Sequence, residues 1–227
     1  MNQIEALQRL RTLGAPVVET RDVAALLQVS TSNATTILRR LAQKGMIAHL
    51  GRGRWLVNEK IDRFALPELI SAPYPAYTSL QSALFHHGLI EQIPSVTYAV
   101  TPARPRRVRT PLGTISFHRM PSELFQGFEL SSPSDAKIAT PEKALFDLLY
   151  LAPGRSRVFS NLPELTIPRH FRWQRLKEYT NLVRSAARRA YITQRVGALR
   201  SSLRKPRTSR VLRRRKGDTP SPAAPRS

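Results

Sequence analysis

The sequence contains no cysteine. Disulfides, thiolate zinc sites and a cysteine nucleophile are excluded, and the composition fits a cytoplasmic protein. No apolar run approaches the ~18 residues that a membrane-spanning helix needs. The opening stretch, residues 1–14, is amphipathic and lacks the apolar centre of a signal peptide. Acid is scarce. Only 15 Asp and Glu stand against 37 Lys and Arg, for a net charge of +22 in 227 residues.

That charge is unevenly spread. The acid-free stretch from Arg184 to Lys216 carries thirteen basic residues, which leaves +9 on the rest. The excess points to a polyanion, because phosphate neutralisation releases counterions whatever the base sequence. An anionic membrane surface attracts the same charge. The hydrophobic fraction of 41% is enough for a core.

Residues 1–60 hold three helical patterns and a hairpin. Ile4, Leu7, Leu10 and Leu13 mark the first helix, ended by Gly14 and Pro16. Thr20 is placed to cap a second helix, with Val23, Ala24, Leu26 and Leu27 apolar. After a turn at Val29 and Ser30, a third helix runs from Thr31 to about Lys44. Its Ile37, Leu38 and Leu41 face inward, and Gly45 stops it. A hairpin follows, with strands at 46–50 and 54–57 around Gly51-Arg52-Gly53. Trp55 belongs to the apolar strand.

This order predicts a winged helix-turn-helix. The third helix turns Thr31, Ser32, Asn33, Thr35, Thr36, Arg39 and Arg40 outward. Short polar groups and open amides at a helix start suit base edges and phosphates, and an arginine behind them reaches a guanine edge or the backbone. Arg52 and Arg54 flank the wing tip as further DNA contacts. The bland alternative is a solvated helix face.

Residues 61–74, with Pro67 and Pro73, read as a linker. Beyond it come a helix over 78–87, strands over 95–101, 106–110 and 114–119, and a helix that starts at Pro141 with Thr140 as its cap. Helical spacing with a basic face returns over 171–182 and 182–203. Residues 204–227, rich in Arg, Ser and Pro, read as a disordered basic tail that either tracks phosphates modestly, the favoured reading, or is a solvated extension. The expected fold class is α+β: a winged helix-turn-helix at 1–60 and a mixed α/β domain at 75–203.

Two segments carry a family resemblance: YPAYTSLQSALFHHGLI at 74–90 and ATPEKALFDLLY at 139–150. With the N-terminal pattern, the chain resembles the AbiEi antitoxins of bacterial type IV toxin–antitoxin systems over roughly residues 1–200. The resemblance implies an autorepressor whose winged helix binds inverted repeats in double-stranded DNA of its own promoter. It implies a C-terminal domain that neutralises a nucleotidyltransferase-like toxin without needing a stable complex. That domain also assists DNA binding through a positive face. No enzyme activity, cofactor, metal or membrane partner is expected. The chain departs from the family pattern by its Arg-rich tail after Leu203.

The residues themselves suggest a surface role for Glu142, Lys143 and Asp147, through helix capping and pairing. Two other functions are compatible with parts of the sequence. Asp135-Ala136-Lys137, with Glu123 or Glu129 upstream, is half of a nuclease metal motif, and three-residue matches are common. The adjacent His86 and His87 are expected to point apart, and Gly51-Arg52-Gly53 lacks the Lys-Ser/Thr of a phosphate loop. No Ser/His/Asp triad is assignable. The other alternative is a regulator with a ligand-sensing second domain.

Overall fold

The computed structural model describes residues 3–58, 60–153 and 162–204. Its architecture is α+β. The expected tail, apart from Arg204, lies outside the described residues.

The N-terminal part runs α1 (Gln3–Thr12), β1 (Val17–Glu19), α2 (Thr20–Leu27), α3 (Thr31–Gln43), β2 (Ala48–Gly51) and β3 (Arg54–Leu56). The hairpin is present as expected. Strand β1 is an addition to the expected elements; it joins the hairpin to make an antiparallel sheet ordered β1-β3-β2. Three residues after a proline are too short for a period-2 pattern.

In α1 the buried residues are Ala6, Leu7 and Leu10, while Ile4 in the helix and Leu13 just beyond it are exposed. Each three-residue step falls about 60° short of a full turn, so the ends of a three-residue series leave the face its middle shares. Leu7 and Leu10 pack with Val23 and Leu27 of α2 and with Ala34, Leu38 and Leu41 of α3. Ile37 is only half-buried. Trp55 closes this core as read, and its indole N–H donates to Thr20 Oγ1 at 2.9 Å. Thr20 Oγ1 in turn donates to the Gly53 carbonyl at 3.0 Å. Thr20 is therefore no cap but the first residue of α2, tied to the hairpin.

The turn between α2 and α3 puts Gln28 in the left-handed region, and Ser30 caps α3 by accepting from Asn33 N at 3.2 Å. Gly45, at φ 69°, ends α3 as expected. Met46 N bonds back to Leu41 O at 3.0 Å, the wrapped geometry that a left-handed glycine permits.

Residues 61–74 are no open linker. They contain α4 (Leu66–Ser71), which buries Leu66 and Ile70. Pro67 falls in its first turn, where a missing N–H costs nothing. The remaining elements are β4 (Tyr77–Thr78), α5 (Leu80–His86), β5 (Val96–Thr101), β6 (Arg106–Thr110), β7 (Gly113–Arg119), a 3-10 turn (Ser122–Leu124), β8 (Phe128–Ser131), β9 (Ala136–Ala139), α6 (Pro141–Leu151), α7 (Trp173–Asn181) and α8 (Ala186–Arg204). Thr140 caps α6 as expected.

Six strands form one mixed sheet ordered β6-β7-β5-β4-β9-β8. The β5–β7 and β4–β9 pairs are parallel and the others antiparallel. Side chains alternate across it. Tyr77, Val100 and Ile138 face α5, α6, α7 and α8, with Leu84, Leu145, Leu148 and Leu176 in the same core. Ala76, Ala99, Ile115 and Phe117 face the other way, onto Leu66 and Ile70 of α4 and onto Leu50 and Leu56 of the hairpin. The hairpin and the large sheet thus share a core.

Candidate functional site

Helix α3 carries the expected outward face. Thr31, Ser32, Asn33, Thr36, Arg39 and Arg40 are exposed, and Thr35 is half-buried. The helix contains no acid. Among the described residues, no carboxylate lies within ion-pair distance of Arg39 or Arg40. Both guanidiniums are available to an external anion. The hydroxyls of Thr35 and Thr36 donate to Thr31 O at 2.8 Å and Ser32 O at 3.1 Å. With its hydrogen engaged, each hydroxyl offers the outside an acceptor. The first intrahelical bond is Ala34 N to Ser30 O, so the amides of Thr31 and Ser32 precede the ladder at the positive end of the helix dipole.

The hairpin tip needs left-handed backbone at three successive positions. Gly51, Arg52 and Gly53 have φ of 87°, 51° and 72°. Arg52 is exposed there. Arg54 is not, and this corrects the expectation that it flanks the tip as a DNA contact. It is 9% exposed, with Nη1 donating to Ile70 O at 2.8 Å and Nη2 to Glu19 Oε1 at 3.1 Å. The β1–β3 register sets Glu19 opposite Arg54, and α4 covers its other side. The two arginines therefore have different expected phenotypes. Arg54→Ala should lower stability by about 2–3 kcal/mol, the scale of lost charged hydrogen bonds. Arg52→Ala should stay within ~0.5 kcal/mol of wild type, as exposed substitutions do. Urea denaturation of both variants checks this; equal losses would remove the distinction.

The segments 74–90 and 139–150 meet in the protein interior. Lys143 and Asp147, one turn apart on α6, form an ion pair with both side chains fully buried. Tyr77 O–H and Ser79 O–H donate to Asp147 Oδ2 at 3.0 and 2.7 Å. The Lys143 ammonium lies over the rings of Phe146, Tyr179 and Tyr77 at 4.8, 5.5 and 5.8 Å. Burial pushes the Asp147 carboxyl up and the Lys143 ammonium down, against their mutual attraction. Burial, then the Asp147 charge, raises the Tyr77 phenol well above its usual range. Glu142 is also buried and accepts from Arg172 N at 2.8 Å. The expectation of surface pairing at these three residues is corrected. The i, i+4 spacing of Lys143 and Asp147 was visible; their depth was not.

The nuclease half-motif is only partly gathered: Glu129 on β8 lies opposite Ile138 of β9, next to Lys137. Asp135 occupies a left-handed turn position, Lys137 pairs with Glu68 of α4, and Glu123 pairs with Arg184 at 3.2 Å. Among the described residues no group of three His, Asp or Glu side chains is gathered as a metal would need. The rings of His86 and His87 do not point apart but meet edge to face at 5.0 Å, and His87 Nε2 sits 2.8 Å from Ala139 O. No protein-family model and no curated protein matches the chain. No helix among the described residues is long and apolar enough to cross a membrane.

One titratable group gives a pH signature. His118 Nε2 and Ser116 Oγ lie 3.0 Å apart on β7. Burial, helped by the Arg107 charge, lowers His118 from 6.5 to about 4. Between those values the unfolded chain binds the proton that the folded chain refuses. Its contribution is therefore full above pH 6.5 and is lost as pH falls towards about 4. The loss should be roughly 1–3 kcal/mol for this partly exposed ring. Urea midpoints across that window should fall in wild type and fall less in His118→Gln; parallel curves would refute the assignment.

Proposed function

We propose that the N-terminal elements form a winged helix-turn-helix that binds double-stranded DNA, and that the chain is an AbiEi-like antitoxin which represses its own operon. The observation that carries DNA binding is the exposed, acid-free face of α3 from Thr31 to Arg40. The element order supports it: α2 and α3 pack around Val23, Leu27 and Leu38, and the hairpin follows as a wing with Arg52 at its tip. Arg54 plays its part from inside, by holding the wing to α4.

The antitoxin role rests on the resemblance at 74–90 and 139–150. In this reading residues 75–203 counter a nucleotidyltransferase-like toxin in the cytoplasm, without catalysis, cofactor or metal. The two segments meet in the Lys143–Asp147 network, so their likeness to the family is a likeness of core. The surface that faces the toxin is then built on that core.

Coexpression tests the role. The full chain should restore growth to cells expressing its cognate nucleotidyltransferase-like toxin. Failure to restore growth, with promoter binding intact, favours the ligand-sensing regulator instead. That second reading has one observation in its favour: a groove of about 590 Å³ between α7 and α8, lined by Trp173, Leu176, Lys177 and Arg200. It lies within the roughly 300–1,000 Å³ of small-molecule sites.

A further inference from the structure

A smaller cavity, of about 190 Å³, lies where the wing meets the edge of the large sheet. Leu50, Arg52 and Arg54 line it from the hairpin, Ile70 from α4, and Arg106 and Val108 from β6. Three arginines from two separate parts of the chain therefore border one small space. Arg54 has its carboxylate, Glu19. Among the described residues, no carboxylate lies within ion-pair distance of Arg52 or Arg106.

Arg106 is held in place. Its guanidinium stacks over the Phe117 ring at 4.7 Å and donates to Ile70 O at 3.2 Å, the carbonyl that also receives Arg54. A stacked guanidinium tied at one nitrogen keeps other N–H groups for a second acceptor. Gathering like charges beside an apolar wall is unfavourable, and Arg106 registers it. Burial first, then the charges of Arg52 and Arg54, lower its pKa. An anion in the cavity reverses that penalty.

We infer that this cavity is a binding site for a free phosphate dianion, inorganic or the terminal group of a small phosphate ester, held between Arg52 and Arg106. Its size admits a small anion. The volume is below the roughly 300–1,000 Å³ of drug-sized sites, yet holds several molecules of water's ~30 Å³ share. A tetrahedral oxyanion fits this description. A DNA phosphodiester carries one charge and two bulky sugar substituents, and fits it poorly. Guanidinium forks match phosphate oxygens in pairs, which favours the dianion further. The occupant ties the wing tip to β6, so its presence bears on how rigidly the wing is presented.

The test is calorimetric titration of the full-length protein with inorganic phosphate, at constant ionic strength set by sodium chloride. Saturable binding at one site is expected, and dimethyl phosphate, the monoanionic diester, should bind at least about tenfold more weakly. Arg52→Gln, at an exposed position, should weaken phosphate binding by about tenfold or more, and Arg106→Lys should do the same by losing the fork. Arg107→Gln, on the opposite face of β6, should leave it unchanged. Absence of saturation, equal binding of the diester, or equal losses in Arg52→Gln and Arg107→Gln would overturn the site.

Discussion

Lys143→Ala should cost the fold about 3–5 kcal/mol, because it strands a carboxylate in the interior. Asp147 has no route to water: both side chains are fully buried. Its two remaining partners, Tyr77 O–H and Ser79 O–H, are neutral donors on one oxygen. They do not replace a cation. Against a typical stability of about 5–15 kcal/mol the loss is large enough to threaten folding. The double variant Lys143→Met with Asp147→Leu should recover much of it. Removing both charges also removes the desolvation that burial imposes, and such replacements are often neutral or better. Urea denaturation of the three proteins gives the answer. A single variant within ~1 kcal/mol of wild type would mean that the pair is not sealed from water as it stands here.

Arg39→Ala with Arg40→Ala should produce the largest loss of DNA affinity. Each base-contacting arginine is worth about 1–3 kcal/mol of discrimination, so the pair accounts for roughly two to six. Stability should hold within ~0.5 kcal/mol, since both side chains are exposed on α3. The single variants separate their roles. One that reads a base relaxes sequence preference with little change in salt slope. One that holds a phosphate weakens all sequences alike and lowers the slope by about one. Gel shifts on operator and scrambled duplexes at several salt concentrations measure both. A double variant that keeps wild-type affinity and selectivity would remove α3 from the interface.

The N-terminal helices were legible because α2 and α3 carry amphipathic stripes with glycine and serine punctuation. Leu38, Leu41, Ser30 and Gly45 all lie where such signals put them. The exposed face of α3 followed from the same periodicity, except at Thr35 and Ile37, which sit on its flanks. Strands β1, β8 and β9 have three or four residues each, and at that length alternation cannot be told from accident. Depth was the harder quantity. Arg54, Glu142, Lys143 and Asp147 carry charges that ordinarily mark a surface. Each is buried because its partner arrives from elsewhere in the chain or from the next helical turn. Glu19 reaches Arg54 across a strand pair, and Arg172 N reaches Glu142 from thirty residues on. The shared core between hairpin and sheet was hidden for the same reason. Pro67 and Pro73 look like the marks of a linker, yet Pro67 opens a helix that both parts bury.

DNA recognition by α3 is tested most directly by a salt-titrated gel shift of the full-length protein on the duplex upstream of its own gene, with a scrambled duplex of equal length as reference. Binding to the upstream duplex should be tighter by about a thousandfold or more, as for specific repressors. Binding to the scrambled duplex should collapse between ~50 and ~200 mM salt, as counterion release requires. Equal affinity for the two duplexes at every salt concentration would contradict it.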